Sequence, residues 1–171
     1  MRKLAIVGAE SSGKTTLARD LAQALAAPWL PEYARDYLAG RSAGDYRLDD
    51  VIAIAEGQRA GEALPARWQG PTHGDWLVCD TNALVCKVWA EVRFGHCPPA
   101  IAAAWPAADY ALHVLPTPDM PWQPDPLREH PQAREMLFER YRATLLAAGV
   151  PYLIVAGSPQ ARVAAVLAAL P

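Results

Sequence analysis

A glycine-rich segment near the N-terminus combines residue types and a spacing that suit phosphate binding. It reads Gly8-Ala9-Glu10-Ser11-Ser12-Gly13-Lys14-Thr15 and satisfies the pattern G-x-x-x-x-G-K-[ST] at every fixed position. The glycines allow a tight backbone whose N–H groups converge on phosphate oxygens, while Lys14 reaches the β- and γ-phosphates and Thr15 places its hydroxyl on Mg²⁺. Glu10, an acid beside a polyanion, should face the substrate or a basic partner. The segment predicts binding of a nucleoside triphosphate with magnesium.

Two carboxylates follow apolar runs and are candidates for magnesium binding and proton transfer. Asp80 ends the run Trp76-Leu77-Val78-Cys79 and suits a magnesium ligand or a partner of its water shell; the alternative is a cap on the following helix. Glu32 suits acceptance of a proton from a substrate hydroxyl, with Arg35 one turn later holding the substrate. The alternative for this pair is an ion pair that braces a helix start. Asp80 is also a candidate base, in which case Glu32 only binds the substrate.

A proline-rich stretch at residues 116–131 predicts a long loop, and long loops commonly carry function. Arg128 in this loop and Arg134 just after it suit a lid whose guanidinium groups close over phosphates. The alternative is an exposed, charged helix start. Trp122 and Tyr33 are candidates to stack on a flat ring, although most aromatic side chains in such folds serve packing.

Five short apolar segments alternate with helical patterns along the chain. Strands are predicted at residues 2–7, 27–31, 76–80, 110–115 and 152–155, and helices at residues 16–25, 32–38, 49–64, 83–94, 98–105, 132–148 and 159–170. This alternation predicts an α/β fold of the P-loop NTPase type, an open five-stranded parallel sheet with helices on both faces. Ligands bind at the carboxyl ends of such strands, where Gly8, Glu32 and Asp80 are expected.

The composition limits the classes of protein and of partner. A chain of 171 residues that is 52% hydrophobic and 20% charged predicts one domain over residues 1–171. The net charge of −2 and the lack of a Lys/Arg run argue against nucleic acid as a partner. No apolar run is long enough to span a bilayer, and the three cysteines show no metal-ligand spacing. With no signal-peptide pattern at the N-terminus, we expect a cytoplasmic protein that does not bind membranes.

Several motifs across nearly the whole chain resemble the ribosylnicotinamide kinase domain of NadR-type proteins, within the AAA-type ATPase and P-loop kinase family. The matching segments are G-A-E-S-S-G-K-T-T at residues 8–16, P-E-Y-A-R-D-Y at 31–37, I-A-E-G-Q at 54–58, C-D-T-N at 79–82, K-V-W at 87–89, P-W-Q-P-D-P-L-R at 121–128 and A-G-S-P-Q-A-R at 156–162. The Glu-Ser pair inside the phosphate loop, followed by E-Y-A-R, is more specific than the phosphate loop alone.

The resemblance implies an activity and a set of roles. The activity is transfer of the ATP γ-phosphate to the 5′-hydroxyl of nicotinamide riboside, giving nicotinamide mononucleotide for NAD synthesis. The implied roles follow the ligands. Residues 8–16, including Thr16, bind ATP, and Gly157 to Arg162 lie near adenine. Thr15 and Asp80 bind magnesium, Glu32 and Arg35 bind the riboside, Arg128 and Arg134 form the lid, and Trp122 or Tyr33 contacts the nicotinamide ring.

One departure from the family pattern limits what the resemblance implies. The helix-turn-helix and adenylyltransferase domains of larger members have no counterpart here, so we expect neither repression of transcription nor adenylyl transfer. Two alternatives to a nicotinamide riboside kinase stand beside it. One is a kinase for another nucleoside or small hydroxyl substrate, and the other is an ATP-binding regulatory switch. The sequence leaves the oligomeric state open.

Overall fold

Five parallel strands form the sheet that carries the candidate site. The structure is a computed structural model, and it describes residues 1–71, 74–119 and 133–170. The strands are β1 (Arg2–Ile6), β2 (Trp29–Leu30), β3 (Trp76–Asp80), β4 (Tyr110–Pro116) and β5 (Tyr152–Val155). Their order in the sheet is β2-β3-β1-β4-β5, and every pairing is parallel. The predicted five-stranded parallel sheet is confirmed.

Helices cover both faces of this sheet, as the alternation of elements predicts. They are α1 (Lys14–Ala24), α2 (Tyr33–Tyr37), α3 (Leu48–Gly61), α4 (Ala83–Phe94), α5 (Pro99–Ala104), α6 (Arg134–Ala148) and α7 (Pro159–Ala169). The α1 and α7 helices share a core with one face, and α4 and α6 share a core with the other. The helices α2, α3 and α5 pack against α4 in a third cluster beside the sheet. The predicted α/β class is therefore confirmed.

Strand register brings the candidate residues to one edge. Ile6 pairs with Asp80, so the chain that leaves β1 into the phosphate loop starts beside that carboxylate. Leu30 pairs with Cys79, which places the end of β2, and Glu32 after it, next to the end of β3. Because all five strands run in the same direction, their carboxyl ends meet at this edge.

A buried carboxylate fixes α3 against the opposite end of the sheet. Glu62, which follows α3, is 4% exposed and accepts a 2.6 Å hydrogen bond from the Tyr110 hydroxyl. Its other oxygen lies 2.9 Å from Lys3 Nζ and 2.9 Å from Arg59 Nη1. Charged groups that are buried need such partners. The network ties α3 to β1 and β4 and thereby positions the side chains that α3 supplies to the site.

Helix α3 begins after Arg47, whose backbone N–H group donates a 2.8 Å hydrogen bond to the Asp50 carboxylate in the first turn. Within the described residues, no helix is both long and apolar enough to cross a membrane.

Candidate active site

The phosphate loop, residues 8–15, joins β1 to α1 through backbone conformations that favour glycine. Gly13 has φ 81° and Gly8 has φ 145°, so the two fixed glycines of the motif occupy positions that L side chains rarely adopt. Lys14 Nζ donates to the Gly8 carbonyl at 3.1 Å and to the Ala9 carbonyl at 2.9 Å. The Ser12 hydroxyl donates to the same Ala9 carbonyl at 2.8 Å. Lys14 is thereby bonded to the backbone of the loop that it follows.

The N-terminus of α1 is suited to an anion. Among the described residues, no side chain makes a capping hydrogen bond to it, and its first turn contains no acidic residue. The first N–H groups of a helix lack partners within the helix and carry partial positive charge. Thr15 lies on this turn, and Thr16 is exposed beside it. The geometry matches the phosphate cradle predicted for residues 8–16.

Asp80 is a buried carboxylate at the end of β3 and contacts the phosphate-loop helix. It is 1% exposed, and the Thr15 side chain is close enough to lower the pKa of its carboxyl. Its Oδ1 atom has no hydrogen-bond partner among the described residues. Burial and the nearby charge of Glu32 raise the pKa of Asp80 to about 6, against the opposing effects of Thr15, Lys14 and Arg35. The alternative role as a helix cap belongs to Asn82, whose Oδ1 accepts from the Leu84 N–H group.

These two oxygens fit a nucleotide-bound magnesium ion. Mg²⁺ at phosphate sites keeps several waters and takes one or two protein oxygens, such as a hydroxyl and a carboxylate. The Thr15 side chain lies near Asp80, whose Oδ1 is a buried acceptor without a donor among the described residues. In the described part of the chain there is no cluster of three or more His, Cys, Asp or Glu side chains that could hold a metal by itself.

Glu32 follows β2 and forms an ion pair with Arg35. Arg35 Nε lies 3.1 Å from Glu32 Oε2, so the helix-bracing pair considered from the sequence is present. The Glu32 side chain is 19% exposed and the Arg35 side chain 43%. The pairing leaves Glu32 among the residues that line a small pocket. Glu32 can therefore brace the start of α2 through Arg35 and also act on a ligand in the pocket.

This Glu32 pocket has a polar rim and an apolar wall. Its lining includes Glu32, Ile54, Gln58, Asn82, Cys86 and Trp89. The indole Nε1 of Trp89 donates to the Tyr46 hydroxyl at 2.8 Å, which fixes the ring. Burial raises the pKa of the Cys86 thiol, so this thiol contributes a neutral surface. Trp89 thus forms part of the pocket.

Gln58 and Thr81 are site residues whose roles the sequence analysis does not identify. Gln58 is 2% exposed; its Oε1 accepts from the Tyr33 N–H group at 2.8 Å, and its Nε2 donates to the Thr81 carbonyl at 3.4 Å. Thr81 has φ 78°, a strained conformation for a β-branched residue. Gln58 therefore joins the start of α2 to the turn after Asp80. A glutamine within the apolar pattern of α3 is the signal that could have identified it.

The structure corrects the prediction that Tyr33 stacks on a substrate ring. Its ring lies over Gly57, where an added Cβ would come within 2.0 Å of Tyr33 Cε1. The Arg67 guanidinium covers the ring at 4.3 Å from its centroid. Tyr33 is not among the residues that line the Glu32 pocket. Its aromatic ring serves packing between α2 and α3.

Of the two predicted lid arginines, the structure describes Arg134. Its Nη1 donates to the Ser11 carbonyl at 3.4 Å, so the start of α6 lies against the phosphate loop. Arg128 and Trp122 lie outside the described residues. Burial raises the pKa of the Tyr141 hydroxyl on α6, and the charges of Cys86, Glu32 and Glu10 add to the effect.

Arg162, which the resemblance places near adenine, is held by contacts within the protein. Arg162 is 2% exposed, and its guanidinium donates to the backbone carbonyls of Ser12, Gly157 and Thr117. It also pairs with the Asp119 carboxylate. The Gly157 N–H group donates to that carboxylate at 2.9 Å. Arg162 and Gly157 therefore support the phosphate loop through protein contacts.

Comparisons with known proteins agree with this architecture. A family model described as an AAA domain matches residues 3–162. A comparison with curated protein sequences gives no match. Among solved structures, a NadR protein in complex with NR superposes with TM-score 0.75 at 24% identity, over 90% of this chain and 45% of the NadR chain. The chain thus spans less than half the length of that relative.

Two complete kinase chains share the same fold. Deoxyadenosine kinase from M. mycoides superposes with TM-score 0.64 at 10% identity, over 97% of both chains. Thymidylate kinase from Candida albicans superposes with TM-score 0.64 at 11% identity, over 98% of this chain and 89% of that one. At these identities the likeness concerns the fold. It confirms the P-loop architecture. The NadR superposition confirms that the family suggested by the sequence motifs shares this fold.

Proposed function

The chain belongs to the AAA domain family, and from this premise we propose that it is a small-molecule kinase that transfers the γ-phosphate of ATP to the 5′-hydroxyl of nicotinamide riboside. The observation that carries the proposal is a second acid beside the phosphate loop. Glu32 lines a pocket and raises the pKa of Asp80 through its charge, so the two carboxylates lie close together. A protein that only binds nucleotide has no need of an acid lining a second pocket.

In the proposed reaction the substrate hydroxyl oxygen attacks the γ-phosphorus, and the bond from that phosphorus to the ADP oxygen breaks. The hydroxyl proton passes to Glu32, which Arg35 Nε holds at 3.1 Å. Lys14 exchanges its bonds to the Gly8 and Ala9 carbonyls for phosphate oxygens. Arg134, beside the Ser11 carbonyl, is placed to meet the charge that develops on the transferred group.

Thr15 and Asp80 would hold a magnesium ion, which would supply positive charge to neutralise the phosphates. The low exposure of Asp80 suits this role, because a positive ion stabilises the ionised form that burial disfavours. The Thr15 side chain lies close to this carboxylate.

The acidic and aromatic side chains of the pocket suit a cationic acceptor, and Arg35 and Lys14 also lie close to the two carboxylates. Nicotinamide riboside carries a positively charged pyridinium ring, whereas ordinary nucleosides are neutral. The pocket has Glu32 on its rim, Asp80 nearby and the Trp89 indole on its wall. Carboxylates attract such a ring, and an indole face adds a cation–π contribution. The fold shared with NadR bound to NR supports the same acceptor.

The test is ADP release by the purified protein with Mg-ATP, comparing nicotinamide riboside with a panel of neutral nucleosides. We expect nicotinamide riboside to give the highest kcat/KM. Glu32→Gln should lower kcat at least ~100-fold, as expected for a lost proton acceptor. Lys14→Ala should abolish transfer. A protein that no hydroxyl compound accelerates would be a nucleotide switch, and preference for a neutral nucleoside would reassign the acceptor.

A further inference from the structure

Asn82, the one asparagine of the sequence, has half of its side-chain amide unused. The residue is 1% exposed, and its Nδ2 atom has no hydrogen-bond partner among the described residues. Its Oδ1 accepts from the Leu84 N–H group at 3.1 Å, as the N-cap of α4. Buried amide groups in folded proteins are normally paired, so a donor left open at a pocket points to a ligand.

The capping bond fixes which end of the amide is available. Because Oδ1 is held by the first turn of α4, the Nδ2 group lies on the other side of the side chain. Asn82 lines the Glu32 pocket together with Gln58 and Trp89. The N–H groups of those two side chains already donate, to the Thr81 carbonyl and to the Tyr46 hydroxyl respectively. Asn82 therefore contributes the buried side-chain N–H donor that lacks an acceptor in the described part of this pocket.

We propose that Asn82 Nδ2 donates a hydrogen bond to a carbonyl oxygen on the ring of the acceptor substrate and so determines which rings the pocket accepts. The inference rests on the proposed function, because it takes the Glu32 pocket as the acceptor site. Ile54, Cys86 and Trp89 give the pocket an apolar wall. A ring that carries a carboxamide or lactam oxygen satisfies the donor. A ring without such an oxygen leaves the donor buried and unpaired, and sites of this kind reject such analogues strongly.

The experiment compares two acceptors on three proteins. The acceptors are nicotinamide riboside and the riboside of unsubstituted pyridine, which has the same charge without the carbonyl oxygen. The proteins are wild type, Asn82→Ser and Asn82→Asp. Serine and aspartate are both good N-cap residues, so α4 keeps its cap while the amide donor is lost. Because Asn82→Ser adds no charge, it still tests the amide donor if the new carboxylate of Asn82→Asp disturbs Asp80 or the fold.

For wild type we expect kcat/KM to be about 10- to 100-fold higher with the carboxamide than without it, the range for one buried hydrogen bond. Both variants should lose most of this discrimination, chiefly through the KM of nicotinamide riboside, while the KM of ATP stays within about 2-fold. Asp50→Asn, a matched exchange at the start of α3, should leave the discrimination unchanged. The inference is overturned if Asn82→Ser discriminates between the two acceptors as strongly as wild type does. It is also overturned if wild type does not discriminate between them. If wild type phosphorylates neither acceptor nor any nucleoside, the proposed function fails first and the inference falls with it.

Discussion

Arg162 and Ser12 lie 150 residues apart in the sequence, and Arg162 Nη1 donates a 2.6 Å hydrogen bond to the Ser12 carbonyl oxygen. The same guanidinium donates to the Gly157 carbonyl at 3.0 Å and to the Thr117 carbonyl at 3.2 Å. One buried side chain thus connects the phosphate loop to the ends of β4 and β5. Since the loop's N–H groups must converge on phosphate, a fixed Ser12 carbonyl contributes to their orientation.

Arg162→Lys tests whether Arg162 positions the phosphate loop through its planar guanidinium or only supplies a positive charge. Lysine keeps the positive charge but lacks the planar fork, so it cannot reach three carbonyls and the Asp119 carboxylate at once. We expect the free energy of unfolding in urea to fall by about 1–3 kcal/mol. The KM of ATP should rise about 10-fold, as expected for a loss near 1.4 kcal/mol, with the acceptor KM little changed.

Arg142→Lys is the matched control for this substitution. Arg142 forms an exposed ion pair with Glu139 on α6, with side-chain exposures of 41% and 51%. Exposed pairs of this kind contribute up to about 1 kcal/mol, so both measurements should stay near wild type. Equal behaviour of the two variants would show that the buried contacts of Arg162 do not position the phosphate loop.

Asp80→Asn should make the nucleotide-free protein more stable while removing activity. Burial raises the pKa of the folded Asp80 from 3.8 to about 6. A folded acid with a raised pKa keeps a proton that the unfolded chain releases, so stability falls as pH rises from about 4 to 6 and the full cost is present above pH 6. Removing the charge should therefore raise the free energy of unfolding at pH 8 by about 1–3 kcal/mol.

Urea unfolding without nucleotide or Mg²⁺ tests this at two pH values. The gain from Asp80→Asn should be largest at pH 8 and should nearly vanish at pH 4, where the folded carboxyl is already protonated. Asp36→Asn, at an exposed position of α2, should change stability by less than about 0.5 kcal/mol at either pH. A loss of stability at pH 8 would mean that the Asp80 carboxylate stabilises the empty site.

The site residues predicted from the sequence, whose roles stay predictions, share a local signal. The phosphate loop has a fixed pattern, and Glu32 and Asp80 end apolar strands whose carboxyl ends must meet in any parallel sheet. Gln58 and Arg162 act on backbone groups 23 to 150 residues away, and no local pattern indicates which carbonyl a side chain will reach. The order of the strands likewise depends on packing between distant segments.

The error at Tyr33 has the same origin, and it leads to a test of packing. An exposed aromatic near a predicted site suggests stacking, but Gly57 on α3 provides the space that the ring fills. In Gly57→Ala the new Cβ would lie 2.0 Å from Tyr33 Cε1, so the ring must move. We expect the free energy of unfolding to fall by about 1–3 kcal/mol, as in other overpacked sites.

A double-mutant cycle distinguishes this clash from other effects of Gly57→Ala. Combining it with Tyr33→Ala removes the ring, so the double variant should be less destabilised than the sum of the two single variants, by at least about 0.5 kcal/mol. At a position with free space, alanine would stabilise the helix relative to glycine, because alanine has the higher helix propensity. Additive losses would show that the Tyr33 ring does not occupy the space above Gly57.

His113 on β4 should make the fold sensitive to acid independently of the candidate site. It is fully buried, and its Nε2 accepts a 3.2 Å hydrogen bond from Trp105 Nε1, which requires a neutral ring. Burial lowers the pKa of His113 from 6.5 to about 4. A folded histidine with a lowered pKa stays neutral while the unfolded chain takes up a proton, so stability is full above about pH 6.5 and falls progressively to about pH 4.

The expected loss from His113 over this range is at most about 3 kcal/mol, from 1.36 kcal/mol per pKa unit. Other groups also titrate there, so the useful quantity is the difference between wild type and His113→Gln in urea unfolding at pH 8, 6.5, 5 and 4. Wild type should lose more stability than the variant as pH falls. His96→Gln, at an exposed histidine, should keep the wild-type pH dependence. Parallel curves for wild type and His113→Gln would mean that the buried ring accepts a proton in the folded protein as readily as in the unfolded chain.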